Sequence, residues 1–273
     1  MNLKTFFAYI RNAPCGGKLT QQQVEGCEAI IKEYDLSPET NDPRHLAYIL
    51  AIVFHETGGR MQPVREGFAN SDAQARRIVA KYKYGKPDGK HVYYGRGHVQ
   101  LTWRENYKRM GEALGLPLED DPDLALDKNI SARILIVGMI KGMFTGKSLN
   151  DYFNGNTNDP VGARRIINGT DKNKLIAGYH ENFLDAIKHA MKEETPADVT
   201  EEKATPDKPN LVKDKTTIGG VTMASAGAAS SGLLSVVDNP WALGAVAILA
   251  VIAAIGAYLF FTGRIKIAKE AGA

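Results

Sequence analysis

Trp241–Phe261 is an uninterrupted apolar run of 21 residues, and no other segment limits the folding of the chain so strongly. A helix needs ~20 such residues to cross the hydrocarbon of a bilayer. A run of this kind can instead be a helix buried in a core, but the short basic stretch 263–273 offers nothing to bury it. The expectation is a single membrane helix over residues 238–262. Trp241 stands at one edge and Arg264 and Lys266 lie just beyond the other, a pattern that suits anchoring at the interface. Arg264, Lys266 and Lys269 predict a cytoplasmic C-terminus. That orientation requires export of everything before the span, yet Met1–Phe7 lacks the apolar region of a secretion signal. Both orientations stay open.

The rest of the chain divides by composition. Residues 1–192 have ordinary globular usage and enough apolar content for a core. Glu193–Lys215 is rich in Pro, Glu, Asp, Lys and Thr and reads as a solvated linker, continued by small residues to position 237. Residues 1–192 carry 27 Lys and Arg against 22 Asp and Glu, a net +5 within a whole-chain +3. A mildly basic domain favours an anionic polymer, and its cations do not cluster as nucleic-acid binding requires. Cys15 and Cys27 are the only cysteines, with no zinc-type spacing. They suit packing, or pairing in an oxidising compartment.

Helical periodicity dominates residues 1–192. Phe6, Phe7, Tyr9 and Ile10 open an amphipathic helix that Pro14 and Gly16-Gly17 end, and Val24 to Tyr34 form a second. Asp42 is a natural N-cap with Pro43 at the first helical position. The Leu46, Ile49, Leu50 and Val53 spacing then gives a buried stripe. This third helix carries His55 and Glu56 to its end, before the Gly58-Gly59 break. Ile130–Phe144 and Leu175–Met191 supply further helices, and His91–Leu101 is the one strand-like stretch. The fold class expected is mainly α with a small β element, followed by the C-terminal transmembrane helix.

Tyr93–Tyr107 packs two glycines, four aromatics and the side chains of Arg96, His98, Gln100, Thr102, Glu105 and Asn106 into fifteen residues. A strand built only for a core alternates apolar with polar side chains and avoids glycine. Aromatic faces, amides and a tight turn suit a groove that holds a sugar chain. Two carboxylates, Glu56 and Glu66, precede it, the minimum for cutting a glycosidic bond. At the end of an apolar helix, desolvation favours the protonated form of Glu56, while the polar surroundings of Glu66 suit an ionised base. His55-Glu56 is not a zinc-protease signature, because position 59 is Gly59 where histidine is required. No metal or cofactor is expected.

In these pieces the sequence resembles glycoside hydrolase family 19, the group of plant-type chitinases and many phage endolysins. The matching residues are His55-Glu56-Thr57, Glu66, Tyr94-Gly95-Arg96-Gly97, Gln100-Leu101-Thr102-Trp103, Asn106-Tyr107 and Arg165-Ile166-Ile167-Asn168-Gly169. They span about residues 42–185 in the family's order. The short gap between the carboxylates, and the Phe6–Gly26 segment ahead of them, are closer to the phage endolysin branch. The resemblance implies a lysozyme-like helical fold and an inverting mechanism with Glu56 as general acid, Glu66 as general base and Thr102 holding the attacking water. It implies sugar contacts from Gln100, Asn106 and Asn168. Tyr94, with Tyr93, either stacks on sugar or fills the core, and Arg96 either tunes a carboxylate or anchors the loop. The family's arginine after the Ile-Ile-Asn-Gly motif has no counterpart among Lys172, Asn173, Lys174, Leu175 and Ile176. A lysine there lacks the planar fork.

Chitin and peptidoglycan both offer β-1,4-linked N-acetylated aminosugars, so the motifs alone do not choose. The membrane span and the missing signal favour a phage or prophage endolysin of muramidase type, tethered at the host inner membrane and acting on peptidoglycan strands. Its expected partners are those strands, the bilayer through 241–261 and a holin or other lysis protein, with no nucleic acid. A chitinase is the runner-up. A non-catalytic wall-binding module and a holin-like lesion former are readings from other classes.

Overall fold

The computed structural model describes residues 1–37, 39, 42–192 and 195–208. Asn2 caps α1 (Leu3–Asn12) by accepting from the Thr5 amide. Thr20 and Gln23 close a capping box on α2 (Gln21–Asp35). Asp42 caps α3 (Pro43–Glu56) through the Arg44 amide, with Pro43 in the first turn, as its sequence predicts. The expectation of one apolar stripe on α3 understates its burial. Nine consecutive residues, His45–Val53, are buried, so the helix is enclosed on all sides.

The other helices enclose it. α7 (Asn173–Ala190) runs along α3 and is covered in turn by α1, with Phe6 stacked on Phe183 at 6.5 Å. α6 (Lys128–Ile140) packs against α2, α3 and α5 (Arg104–Leu114). The expected helices over 130–144 and 175–191 are these two, each starting about two residues earlier than the apolar pattern. α4 (Asp72–Val79) and α5 lie in stretches where no helix was expected. The strand-like stretch near 91–101 contributes only β2 (Arg96–Gly97), antiparallel to β1 (Val64–Arg65) with Val64 opposite Gly97. A small second core of Ala69, Ala75, Val79, Val92 and Tyr94 lies under α4 and this ribbon.

Residues 195–208, expected as solvated linker, lie against α1 through the short α8 (Glu201–Ala204). The Arg11 guanidinium binds both oxygens of Asp207 at 2.8 and 2.9 Å and donates to the Lys203 and Thr205 carbonyls. Asp207 also exchanges two 2.7 Å hydrogen bonds with the Leu19 backbone. Most of this polar segment stays exposed, and the Arg11–Asp207 pair anchors it to the domain. The remaining linker to 237, the expected membrane helix 238–262 and the tail 263–273 lie outside the described residues. Among the described residues no helix is long and apolar enough to cross a membrane.

Candidate active site

Glu56 closes α3, and the turn beyond it is tightly built. Buried Thr57 donates to the Val53 carbonyl at 2.7 Å and accepts from the Met61 amide at 3.0 Å. Gly58 and Gly59, at φ +59° and +78°, then turn the chain in the left-handed region. The helix end is not a purely apolar setting. Arg164, from the 3₁₀ turn Gly162–Ile166, places Nη1 at 2.6 Å from Glu56 Oε1 and donates through Nε to the Asp171 carbonyl. The arginine side chain is 4% exposed and the glutamate 20%. Burial pulls the pKa of His55 below its usual value despite the neighbouring Glu56 charge. A neutral imidazole therefore stands beside the acid.

Glu66 is fixed by different neighbours. The β1–β2 ribbon brings it to Gly95, whose carbonyl accepts from the Glu66 amide and whose amide donates to Glu66 Oε2, each at 2.8 Å. Tyr84 Oη donates to Glu66 Oε1 at 2.6 Å. Burial and the adjacent carboxylate push the Tyr84 phenol well above its ordinary range, so it stays a donor. A Cβ on residue 95 would sit 2.8 Å from Gln100 Oε1 and 3.0 Å from Glu66 Oε2, so a side chain there would displace the ends of both. Arg65 turns away from Glu66 to pair with Asp123 at 3.1 Å.

The structure brings several expected residues together around Glu66. Gln100, at φ +54°, points its amide nitrogen at the Val64 and Gly97 carbonyls and its oxygen at Gly95. Thr102 Oγ1 donates to the Gln100 carbonyl at 2.7 Å, which leaves the oxygen lone pairs for a water. The Asn106 side chain donates to the Thr102 carbonyl and accepts from Arg109, so both its groups are engaged within the protein. Asn168 is exposed and follows the Arg164 turn, on the Glu56 side. Among the described residues no hydrogen bond or ion pair joins the Glu56 set to the Glu66 set.

Of the alternatives open for Tyr94 and Arg96, burial favours packing of the loop over direct contact with a sugar. Tyr94 is 0% exposed and donates to Asp72, and Arg96 is 2% exposed with its guanidinium 3.6 Å from the Tyr94 ring centre. Arg96 pairs with Asp123 at 2.7 Å and donates to the Val92 and Tyr94 carbonyls. Both therefore hold the loop from beneath. Tyr93 is buried too, with its hydroxyl on the Glu119 carbonyl.

The aromatic faces open to solvent are others. Trp103 is 45% and Tyr82 42% exposed. Tyr84 stacks on Tyr82 at 5.3 Å and meets Trp103 edge-on at 5.6 Å. Trp103 holds φ at +73°, a strained conformation for a bulky residue that costs roughly 1–3 kcal/mol and clusters at functional sites. Tyr82, Tyr84 and Arg164 escaped the sequence reading, which has Trp103 only as part of the aromatic loop. Tyr-Lys-Tyr at 82–84 resembles an ordinary polar surface, and Arg164 lies 108 residues from the acid it touches. No group of His, Cys, Asp or Glu among the described residues is arranged to hold a metal ion.

Comparison with known proteins places this site in a family. The glycoside hydrolase family 19 (chitinase class I) model matches residues 36–141, which include both glutamates and the Thr102 loop. Chitinase 11 of Oryza sativa subsp. japonica is 32% identical over 208 residues, covering 62% of this chain and 78% of that protein. Inactive chitinase-like protein 1 of Hevea brasiliensis is 44% identical over 64 residues, 23% of this chain and 20% of that protein. The chain spans only 20 to 31% of the length of several curated relatives it matches. Chitinase C from Streptomyces griseus HUT6037 superposes with a TM-score of 0.43 at 24% identity, over 60% of this chain and 69% of that one. The chain belongs to glycoside hydrolase family 19, the chitinase class I family.

Proposed function

We propose that the protein hydrolyses β-1,4 glycosidic bonds of bacterial peptidoglycan as a membrane-anchored endolysin of muramidase type. The catalytic part is supported by the presence of both glutamates and the Thr102 loop within the stretch that matches the family, and the roles of acid and base follow the family resemblance. Glu56 sits at a rigid helix end against a buried guanidinium, while Glu66 is held by the Tyr84 hydroxyl and the Gly95 amide, on the loop that also carries Thr102. In this reading Glu56 gives its proton to the leaving glycosidic oxygen as the C–O bond breaks. A water held near Thr102 attacks the anomeric carbon from the opposite face and loses its proton to Glu66. The anomeric configuration inverts, and a hydrated reducing end is released.

Peptidoglycan as substrate is supported by the basic domain and by the apolar segment 241–261, which we assign as a bilayer anchor at the host inner membrane. A holin or another lysis protein is the partner such an arrangement calls for. The relatives named as chitinases favour a second reading, hydrolysis of chitin oligomers. A relative named inactive keeps a third in view, a wall-binding module without turnover. Retention of both glutamates and the Thr102 hydroxyl argues against the third.

The full chain, incubated with purified peptidoglycan and with chitin oligomers, separates these readings. New hydrated muramyl reducing ends are expected. Anhydro products, or cleavage of chitin alone, would overturn the peptidoglycan reading, and binding without cleavage would overturn catalysis. Extraction with carbonate tests the anchor: the full chain should stay with membranes.

A further inference from the structure

We infer that the groove beside Glu66 contains a subsite for a carboxylate-bearing substituent on the sugar chain, formed by Lys83 and Lys86 over the Tyr84–Trp103 aromatic shelf. The inference rests on the glycoside-hydrolase reading above and names the substituent that reading leaves undefined.

A cavity of about 350 Å³ is lined by Lys83, Tyr84, Lys86, Asp88, Trp103 and Arg104 among others. It shares a wall with the proposed base, because the Tyr84 hydroxyl is bonded to Glu66 Oε1 at 2.6 Å. The cavity therefore adjoins the proposed base through Tyr84. The open aromatic surfaces of Tyr84 and Trp103 suit the apolar faces of a pyranose ring.

The charges decide what else that sugar carries. Lys81, Lys83, Lys86 and Lys90 fall within ten residues, with Asp88 as the one acid among them. Arg104 is engaged by Asp88 at 2.9 Å and by Glu119 at 2.7 Å, so it is not free to meet a ligand, and the three together carry a net −1. Lys81 lies over the Tyr82 ring at 5.1 Å. Lys83 and Lys86 are exposed and have no side-chain hydrogen bond or ion pair among the described residues. A neutral polymer of N-acetylglucosamine has no use for two unpaired cations at the mouth of its groove. A polymer whose alternate sugars bear a lactyl carboxylate, or a peptide rich in carboxylates, does. Trp103, 45% exposed, presents its indole to the same cavity as the two lysines.

The test compares three soluble glycans of equal length on the full chain. One is a neutral N-acetylglucosamine oligomer, one is peptide-stripped wall glycan with free lactyl carboxylates, and one is peptide-bearing wall glycan. The Lys83→Ala/Lys86→Ala chain should lower the preference for acidic over neutral glycan, read as the ratio of KM values, by about fivefold to tenfold. Two exposed charge contacts supply about that much. The effect should appear in KM rather than kcat, fade as salt shortens the ~8 Å screening length, and be restored by Lys83→Arg/Lys86→Arg. Because the lactyl carboxyl is an amide in the peptide-bearing glycan, a shift with the peptide-stripped glycan alone assigns the free lactyl group. A shift with the peptide-bearing one alone assigns the peptide carboxylates, and a shift with both assigns a subsite that takes either carboxylate. Equal shifts on all three glycans, or none, would overturn the subsite while leaving the hydrolase reading intact. If the unaltered chain cleaves none of them, that reading fails instead. Binding of the same glycans to Glu56→Gln, with and without the lysine substitutions, then gives the same ratio from Kd values.

Discussion

Replacing Arg164 by methionine removes a cation that is 4% exposed from a carboxylate that is 20% exposed, and this asymmetry sets the expected energies. Breaking a fully buried pair by deleting one partner costs about 3–5 kcal/mol, chiefly for the charge left behind. Here the charge left behind is Glu56, which keeps a fifth of its surface, so water recovers part of the loss. Arg164→Met should therefore destabilise the protein by roughly 2–3 kcal/mol. At about 2–4 °C per kcal/mol for a domain of this size, the melting temperature should fall by about 4–12 °C. Glu56→Gln keeps an acceptor at the same place but leaves the more deeply buried Arg164 charge without its counter-ion, so it should cost about 3 kcal/mol or more. Because both substitutions remove the same contact, the double variant should cost less than the sum by about 1 kcal/mol or more. Urea unfolding of the four proteins, followed by circular dichroism, measures the cycle. Additivity within about 0.3 kcal/mol would refute the claim that Arg164 acts through Glu56.

Three further outcomes follow from particular contacts. Tyr84→Phe deletes the 2.6 Å hydrogen bond to Glu66 without changing the shelf, and should lower kcat by about tenfold with little change in melting temperature; an unchanged kcat would remove Tyr84 from the positioning of the base. Ending the chain at Lys192 removes the 195–208 segment held by Arg11, so this protein should be less stable than one ending at Leu211 by about 1–2 kcal/mol, and Arg11→Ala should lose a similar amount. Burial depresses His98 and His180 to about 4 from an ordinary 6.5, so both are neutral when folded. Their stabilisation is complete above pH 6.5 and lost as pH falls toward 4, because the unfolded chain binds the protons first. At pH 5 each should cost roughly 2 kcal/mol, and the His180→Gln chain should show a shallower acid limb in a melting-temperature profile.

What the sequence made legible was local. The Asp42-Pro43 start, the apolar run behind it and the Gly58-Gly59 stop fix where α3 begins and ends, and therefore that Glu56 stands at a rigid end. The role of Gly95 beside Glu66 was present only as a glycine in an aromatic run. What escaped depends on partners far along the chain. Arg164 reaches Glu56 across 108 residues, and Tyr84 reaches Glu66 from a stretch that looks like ordinary polar surface. The same cause leaves Tyr94 and Arg96 undecided in the sequence. Their aromatic and cationic character suits either a sugar or a core, and only packing against Asp72, Asp123 and Tyr107 decides for the core. The α4 and α5 helices escaped for a related reason. Polar residues interrupt their apolar faces, leaving Ala75 and Val79 buried on one and Tyr107 and Met110 on the other. In 195–208, composition indicated solvation, whereas Arg11 supplies a partner for Asp207 and the neighbouring carbonyls.

The most direct test of the account is the rate of glycan cleavage by the full chain with Glu56→Gln and, separately, with Glu66→Gln. A general acid or base contributes about 10²–10⁴-fold, so each variant should lose at least a hundredfold in kcat while still binding glycan and melting cooperatively. Loss in one variant alone would leave a single working carboxylate, against the two-glutamate mechanism. Turnover by Glu56→Gln within tenfold of the unaltered chain would contradict the central claim that this residue delivers the proton.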